Sequence, residues 1–219
     1  MKLLVFDCDS TLSAIEGVDE MARLRGEAIF AEVAELTTQA MNGEIPIQSI
    51  FARRLALIRP DRALCTQIGA LYLQHLAPGI EETLRVTRQA GWSPLILSGG
   101  FRQAIEPLAA ALQIEAIEAV PLHFTPTGAY QGFDPSYPTT RNGGKPELIR
   151  QLRTRLQPSQ IVMVGDGVSD WETSPEVDLF VGFGGFTARP AVKEKSEAFI
   201  HSFGELPPLL ERLPLAPAR

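Results

Sequence analysis

Apolar residues are spaced in two different ways along this chain, and the spacing predicts its elements. Leu3-Leu4-Val5-Phe6 is a continuous apolar run, short and bounded, as a strand buried on both faces has. It stops abruptly at Asp7-Cys8-Asp9-Ser10-Thr11. From there to residue 77 the period is helical. Ile29, Val33, Leu36 and Ala40 share a face, as do Ile47, Ile50, Phe51, Leu55 and Ile58, and then Leu64, Ile68, Leu71 and Tyr72. Gly26, Gly43 and Pro60 punctuate these segments, and Pro78-Gly79 closes the block.

Beyond it strand and helix alternate. A helix over 80–90 ends at Gly91, and Ser93 to Ser98 reads as a strand. A helix follows with Phe101, Ile105, Leu108 and Leu112 on one face. Residues 117–133 read as two strands joined at Thr125-Pro126-Thr127-Gly128, and 134–146 are turn-rich. A helix from about 146 carries Leu148, Ile149, Leu152 and Leu156. Strands are predicted at Ile161 to Val164, at Asp178 to Gly182 and, briefly, at Phe199-Ile200. Prolines after Glu205 predict a fraying tail. The alternation implies an α/β fold, a Rossmann-like parallel sheet with helices on both faces. The helical block interrupts it after the first strand. The expected division is a discontinuous core of 1–13 and 78–219, a small helical cap of 14–77, and a proline-rich tail from about 205 to 219.

Composition narrows the function classes. The 219 residues are 45% hydrophobic and 21% charged, an ordinary globular balance, and the formal net charge of −6 argues against nucleic acid or an anionic membrane as partner. Cys8 and Cys65 lie in no metal-binding spacing and read as buried thiols of a reducing compartment. Cys8 should point away from the acids on either side of it, because strand neighbours alternate. The first apolar run is too short for a signal peptide, and none approaches the roughly 20 residues that span a bilayer. A cytoplasmic protein is expected.

Four clusters carry candidate chemistry, each at the edge of a predicted element. Asp7 and Asp9 end the first strand, where open α/β sheets bind ligands. One can serve as an ionised nucleophile and the other as a proton donor. Ser98-Gly99-Gly100 offers a hydroxyl and two amides to an anion at a predicted helix start. Lys145, after Asn142-Gly143-Gly144, is a cation at a helix N-terminus, which an anion nearby would explain. Gly165-Asp166-Gly167-Val168-Ser169-Asp170 again ends a buried strand in carboxylates, the oxygen donors that suit Mg²⁺. Each cluster alone is as well explained by a turn or a cap. Four in this order are better explained by a site.

The order Asp-x-Asp-x-Thr, Ser, Lys, Gly-Asp-Gly-x-x-Asp resembles the haloacid dehalogenase superfamily. Glu16-Gly17-Val18-Asp19-Glu20, Ala40-Met41-Asn42-Gly43, Arg54-Leu55-Ala56-Leu57-Ile58, Leu97 to Phe101 and Gly182-Phe183-Gly184-Gly185 resemble its phosphoserine phosphatase family, from Leu3 to about Phe203. The resemblance implies a Mg²⁺-dependent phosphomonoesterase of amino-acid biosynthesis acting through an aspartyl-phosphate. It implies Asp7 as nucleophile and metal ligand, and Asp9 as general acid/base with its carbonyl on the metal. Asp166 is then a metal ligand, with Asp170 supporting the metal's water shell. Ser98 and Lys145 bind phosphate, Gly99 and Gly100 give backbone contacts, Glu16 and Arg54 hold the amino and carboxylate ends of the substrate, and Met41 walls the pocket. Ile47 stands where relatives often have phenylalanine, and Ser169 where threonine or asparagine is common. His75, His123 and His201 match no family function and read as structural. A phosphotransferase passing phosphate to an alcohol, a phosphatase for another small ester and a non-catalytic phosphate-binding module are the rival readings. A monomer or homodimer is expected, with a small phosphorylated amino acid as substrate.

Overall fold

A computed structural model describes residues 1–41 and 47–213. Six parallel strands form one sheet in the order β3-β2-β1-β6-β7-β8, where β1 is Lys2–Phe6, β2 Trp92–Phe101, β3 Ala116–Val120, β6 Gln160–Gly165, β7 Leu179–Phe183 and β8 Ala198–Ile200. β1 lies in the middle, with Val5 level with Leu95 on one side and Met163 on the other. Its alternate residues feed two apolar layers. Leu4 and Phe6 pack into the larger layer, which continues into the helical block, while Leu3 and Val5 join Leu95, Leu97, Ile161 and Met163 on the opposite face. Burial on both faces is why these strands are continuous apolar runs.

Between β1 and the next core helix, α5 (Ile80–Gln89), the chain makes α1 (Gly17–Arg25), α2 (Glu27–Met41), α3 (Ile47–Ile58) and α4 (Arg62–Gln74). Asp61 caps α4 by accepting from the Leu64 amide at 2.8 Å. Later helices are α6 (Arg102–Ala111), α7 (Gly144–Leu156), the single turn α8 (Val168–Trp171), α9 (Pro190–Lys195) and α10 (Leu206–Glu211). A hairpin of β4 (Leu122–Phe124) and β5 (Tyr130–Phe133) stands apart from the main sheet and supports α3, where Phe51 meets Phe133 with ring centroids 5.2 Å apart.

Three details differ from the sequence reading. Residues 117–133 hold the hairpin and also a separate strand of the main sheet, β3, parallel to β2. Pro121 interrupts the chain between them. Ser98-Gly99-Gly100 closes β2 itself, and α6 starts only at Arg102. The described part of the tail, up to residue 213, does not fray after Glu205. Prolines occupy the first turn of α10, where a missing amide costs nothing, and Leu206 and Leu210 are buried against the core. Residues 214–219 lie outside those described. Among the described residues, no helix is long and apolar enough to cross a membrane.

Candidate active site

The carboxyl ends of β1 and β6 lie side by side, so Asp7 and Asp166 each follow a central strand into one cavity of about 440 Å³. The Asp7 amide donates to the Val164 carbonyl at 2.9 Å, which carries the β1–β6 pairing as far as the acid itself. After Asp9 the chain turns sharply, with Ser10 in the left-handed region at φ 50°. The turn brings Thr11 beside Asp166, its hydroxyl 3.4 Å from Oδ1. Gly165 has a steric reason to be glycine. A Cβ there would stand 2.3 Å from the Asp170 carboxyl carbon, so only glycine lets Asp170 fold back beneath the strand end.

Lys145 is almost wholly buried and holds two of these acids, Asp170 at 2.6 Å and Asp7 at 2.9 Å. Burial alone would lower its pKa. Asp170 and Asp7 more than reverse that, so it stays a cation. Asp170 also accepts the Gly167 amide at 2.9 Å. Burial, then Asp170, raises the Asp7 pKa to about 7 against the pull of Lys145. Burial, then Asp7, raises Asp9 to about 6 against donors from Tyr72 and Gly17. Burial and Asp7 raise Asp166 as well, opposed by Arg189. Cys8 is a buried free thiol packed with Leu4 and Phe6, and burial pushes its pKa up further, so it is no nucleophile.

Asp7, Asp166 and Asp170 each offer an oxygen within 4.8 Å of the others. Among the described residues, six carboxylates line the cavity (Asp7, Asp9, Glu16, Asp19, Asp166 and Asp170) against three cations, Arg54, Lys145 and Arg189. Oxygen-only donors in surplus negative charge fit a hard divalent cation. The Asp9 carboxylate is not one of the three. Its Oδ1 accepts from the Gly17 amide at 2.7 Å and the Tyr72 hydroxyl at 2.6 Å.

The helical block supplies the far wall. Glu16 at the start of α1 accepts from the Ser10 hydroxyl at 2.7 Å, and partial burial and Asp9 raise its pKa. Arg54 on α3 lines the same cavity with Asp19, and its buried Nε has no hydrogen-bond partner among the described residues. Gly99 and Gly100 line it as well, but Ser98 lies behind them, fully buried, accepting the Gly100 amide at 2.9 Å. Met41 ends α2, and its side chain, like that of Ile47, lies outside the described residues.

A model of haloacid dehalogenase-like hydrolases matches residues 1–173. The chain belongs to that family. It is 40% identical over 208 residues to phosphoserine phosphatase of Bos taurus, covering 94% of this chain and 92% of the relative. A crystal structure of a phosphoserine phosphohydrolase-like protein from Francisella tularensis superposes with a TM-score of 0.83 at 25% identity, over 96% of this chain and all of that one. A phospho-aspartyl intermediate analogue of phosphoserine phosphatase does so with a TM-score of 0.75 at 25% identity, over 95% and 98%.

Two residues that hydrogen-bond the acids of the site, Arg189 and Tyr72, carry no such signal in the sequence. Arg189, the residue before α9, donates to Asp166 Oδ2 at 2.8 Å and comes within 3.6 Å of Glu16. Tyr72 was read as part of an apolar face, yet a buried tyrosine needs a partner for its hydroxyl.

Proposed function

We propose that the chain hydrolyses L-phosphoserine to L-serine and phosphate with Mg²⁺ through an aspartyl-phosphate on Asp7. The observation that carries the substrate assignment is that Arg54 Nε, without a partner among the described residues, shares a cavity with Asp7, Lys145 and Glu16. Phosphoserine bears one group for each: phosphate for Lys145, carboxylate for Arg54 and ammonium for Glu16. An arginine suits the carboxylate because its donors match a planar anion. The names of the relatives above support the same substrate.

Asp7 and Asp166 would hold Mg²⁺, with Asp170 supporting its water shell. The ion would neutralise charge on the transferring oxygens. Asp7 attacks phosphorus in line, and the ester P–O bond breaks. Asp9, half-buried and with its pKa raised to about 6, gives its proton to the departing serine oxygen. It then takes a proton from the water that attacks the aspartyl-phosphate, and the second P–O cleavage frees Asp7 and phosphate. Lys145 stays a cation throughout beside the nucleophile. Helices α1–α3 act as a cap, bringing Glu16 and Arg54 onto the amino acid and excluding water. Two buried free thiols fit a reducing compartment, and we assign the reaction to the cytoplasm.

Phosphate release from L-phosphoserine and from phosphoethanolamine, which lacks the carboxylate, tests the assignment. Arg54→Ala should lower kcat/KM for phosphoserine by about a hundredfold or more and change phosphoethanolamine turnover by less than about threefold. Equal losses on both would end the phosphoserine reading and leave the phosphatase reading standing. Mg²⁺-dependent activity surviving Asp7→Asn would refute the nucleophile.

A further inference from the structure

Asp9 has a partner with no place in the mechanism above. Tyr72 lies on α4 and is 1% exposed, and its hydroxyl stands 2.6 Å from Asp9 Oδ1. The Gly17 amide donates to the same oxygen at 2.7 Å. The other oxygen faces elsewhere: a Cβ built on Gly100 would lie 3.2 Å from Asp9 Oδ2 and 3.2 Å from Ser98 Oγ. Oδ1 is thus directed into the helical block, and Oδ2 toward the glycine loop that lines the cavity.

The post that carries this hydroxyl is fixed to the core from two sides. α4 sits on α6 so closely that a Cβ on Gly69 would come 2.6 Å from the Pro107 ring. Ser13, just past the Asp9 turn, donates to the Tyr72 carbonyl at 3.0 Å and stands 3.1 Å from the His75 carbonyl. The contact with Gly17 is equally close. A Cβ there would stand 2.1 Å from the Tyr72 oxygen, so the absence of a side chain at 17 leaves the space the hydroxyl occupies. A phenol is a donor at neutral pH, and here its acceptor is a carboxylate, the stronger class of hydrogen bond.

We propose that Tyr72 is a positioning residue for Asp9: with the Gly17 amide it saturates Oδ1, fixes the carboxylate rotamer and leaves Oδ2 as the oxygen that exchanges the proton with the leaving serine oxygen and with water. This rests on the reading of Asp9 as general acid/base. Oδ1, with two donors on it, has neither a free direction toward substrate nor room for a proton of its own. A carboxylate released from Tyr72 can rotate, and proton transfer needs the acid within hydrogen-bond reach of the oxygen it serves.

The test is Tyr72→Phe, which removes one oxygen and keeps the ring packed, with folding checked by urea unfolding. Two substrates are compared by kcat/KM, which reports only the steps through phosphoryl transfer to Asp7. Phosphoserine releases an alkoxide and needs the proton. 4-Nitrophenyl phosphate releases a stable phenolate and does not. The variant should lose about 10- to 100-fold on phosphoserine, mostly in kcat with KM little changed, and less than about threefold on 4-nitrophenyl phosphate. Equal losses on both substrates, or no loss on phosphoserine, would overturn the proposal. Asp9→Asn run in parallel separates the two readings. If it shows the selective loss and Tyr72→Phe does not, Tyr72 alone is misassigned. If Asp9→Asn lacks the selective loss, the acid role of Asp9 has failed, and the Tyr72 role with it.

Discussion

Replacing Asp7, the proposed nucleophile, should make the metal-free protein more stable. Asp7 is 7% exposed, and its pKa rises from 3.8 to about 7 on folding, chiefly through burial and then through Asp170, with Lys145 opposing. Between pH 4 and 7 the folded state therefore keeps a proton that the unfolded state has released, and stability falls as pH rises through that window. Above pH 7 the full difference, about 4 kcal/mol, is charged against the fold. Asp7→Asn cannot ionise and escapes it. Its Oδ1 can still accept the Cys8 amide, now 2.8 Å from Asp7, and Lys145 keeps Asp170 at 2.6 Å. What is lost is the attraction to Lys145 already counted in that difference, plus imperfect packing of the amide. A net gain of about 2–4 kcal/mol is expected at pH 8. Urea unfolding in EDTA at pH 8 and near pH 4 measures it. The gain should be full at pH 8 and shrink toward zero near pH 4, where native Asp7 is protonated too. Saturating Mg²⁺ should narrow the gap by stabilising the wild type more. A variant no more stable than wild type at pH 8 in EDTA would refute the reasoning that burial, with Asp170 beside it, makes the Asp7 charge costly to the fold.

Two further outcomes follow from single contacts. Arg189→Gln removes the cation from Asp166, which is 4% exposed, and should lower stability in EDTA by about 1–3 kcal/mol, most of it recovered on adding Mg²⁺; an unchanged unfolding midpoint in EDTA would count against the contact. Leu206→Ala should cost about 2–5 kcal/mol by urea unfolding, because Leu206 is fully buried, whereas a fraying tail would tolerate it without measurable loss.

The parts of this fold legible in sequence are those whose signal is local. Leu3 to Phe6 and Ile161 to Val164 are apolar runs because both faces are covered, and the acids that end them mark the sheet's carboxyl edge wherever the chain then goes. The parts that local signals do not reveal depend on partners far along the chain. The hairpin pattern hides β3 because its true neighbour, β2, is parallel and separated from it by α6, a relation with no turn signal. In the tail the prolines suggest fraying, although Leu206 and Leu210, four apart, carry a helical signal and proline in a first turn is compatible with it. Arg189 reaches Asp166 from 23 residues away across the β7 connection, and nothing in its local sequence distinguishes it from a surface arginine.

Ser98 and Tyr72 show the same limit at the level of single atoms. A serine after a buried strand announces a hydroxyl at the sheet edge, but only the backbone path decides that this hydroxyl also takes up the amide two residues on. Tyr72 satisfies the helical apolar pattern as well as leucine would, since its ring fills the same layer. The informative difference is one oxygen. A phenol fully buried in a helical block that contributes Glu16 and Arg54 to the cavity must find an acceptor, and the acceptor available at the junction with the core is Asp9. The helical block thus bears on the chemistry at two levels. It brings the charged side chains of Glu16 and Arg54 to the cavity, and through α4, the helix held against the core, it holds the carboxylate proposed to move the proton.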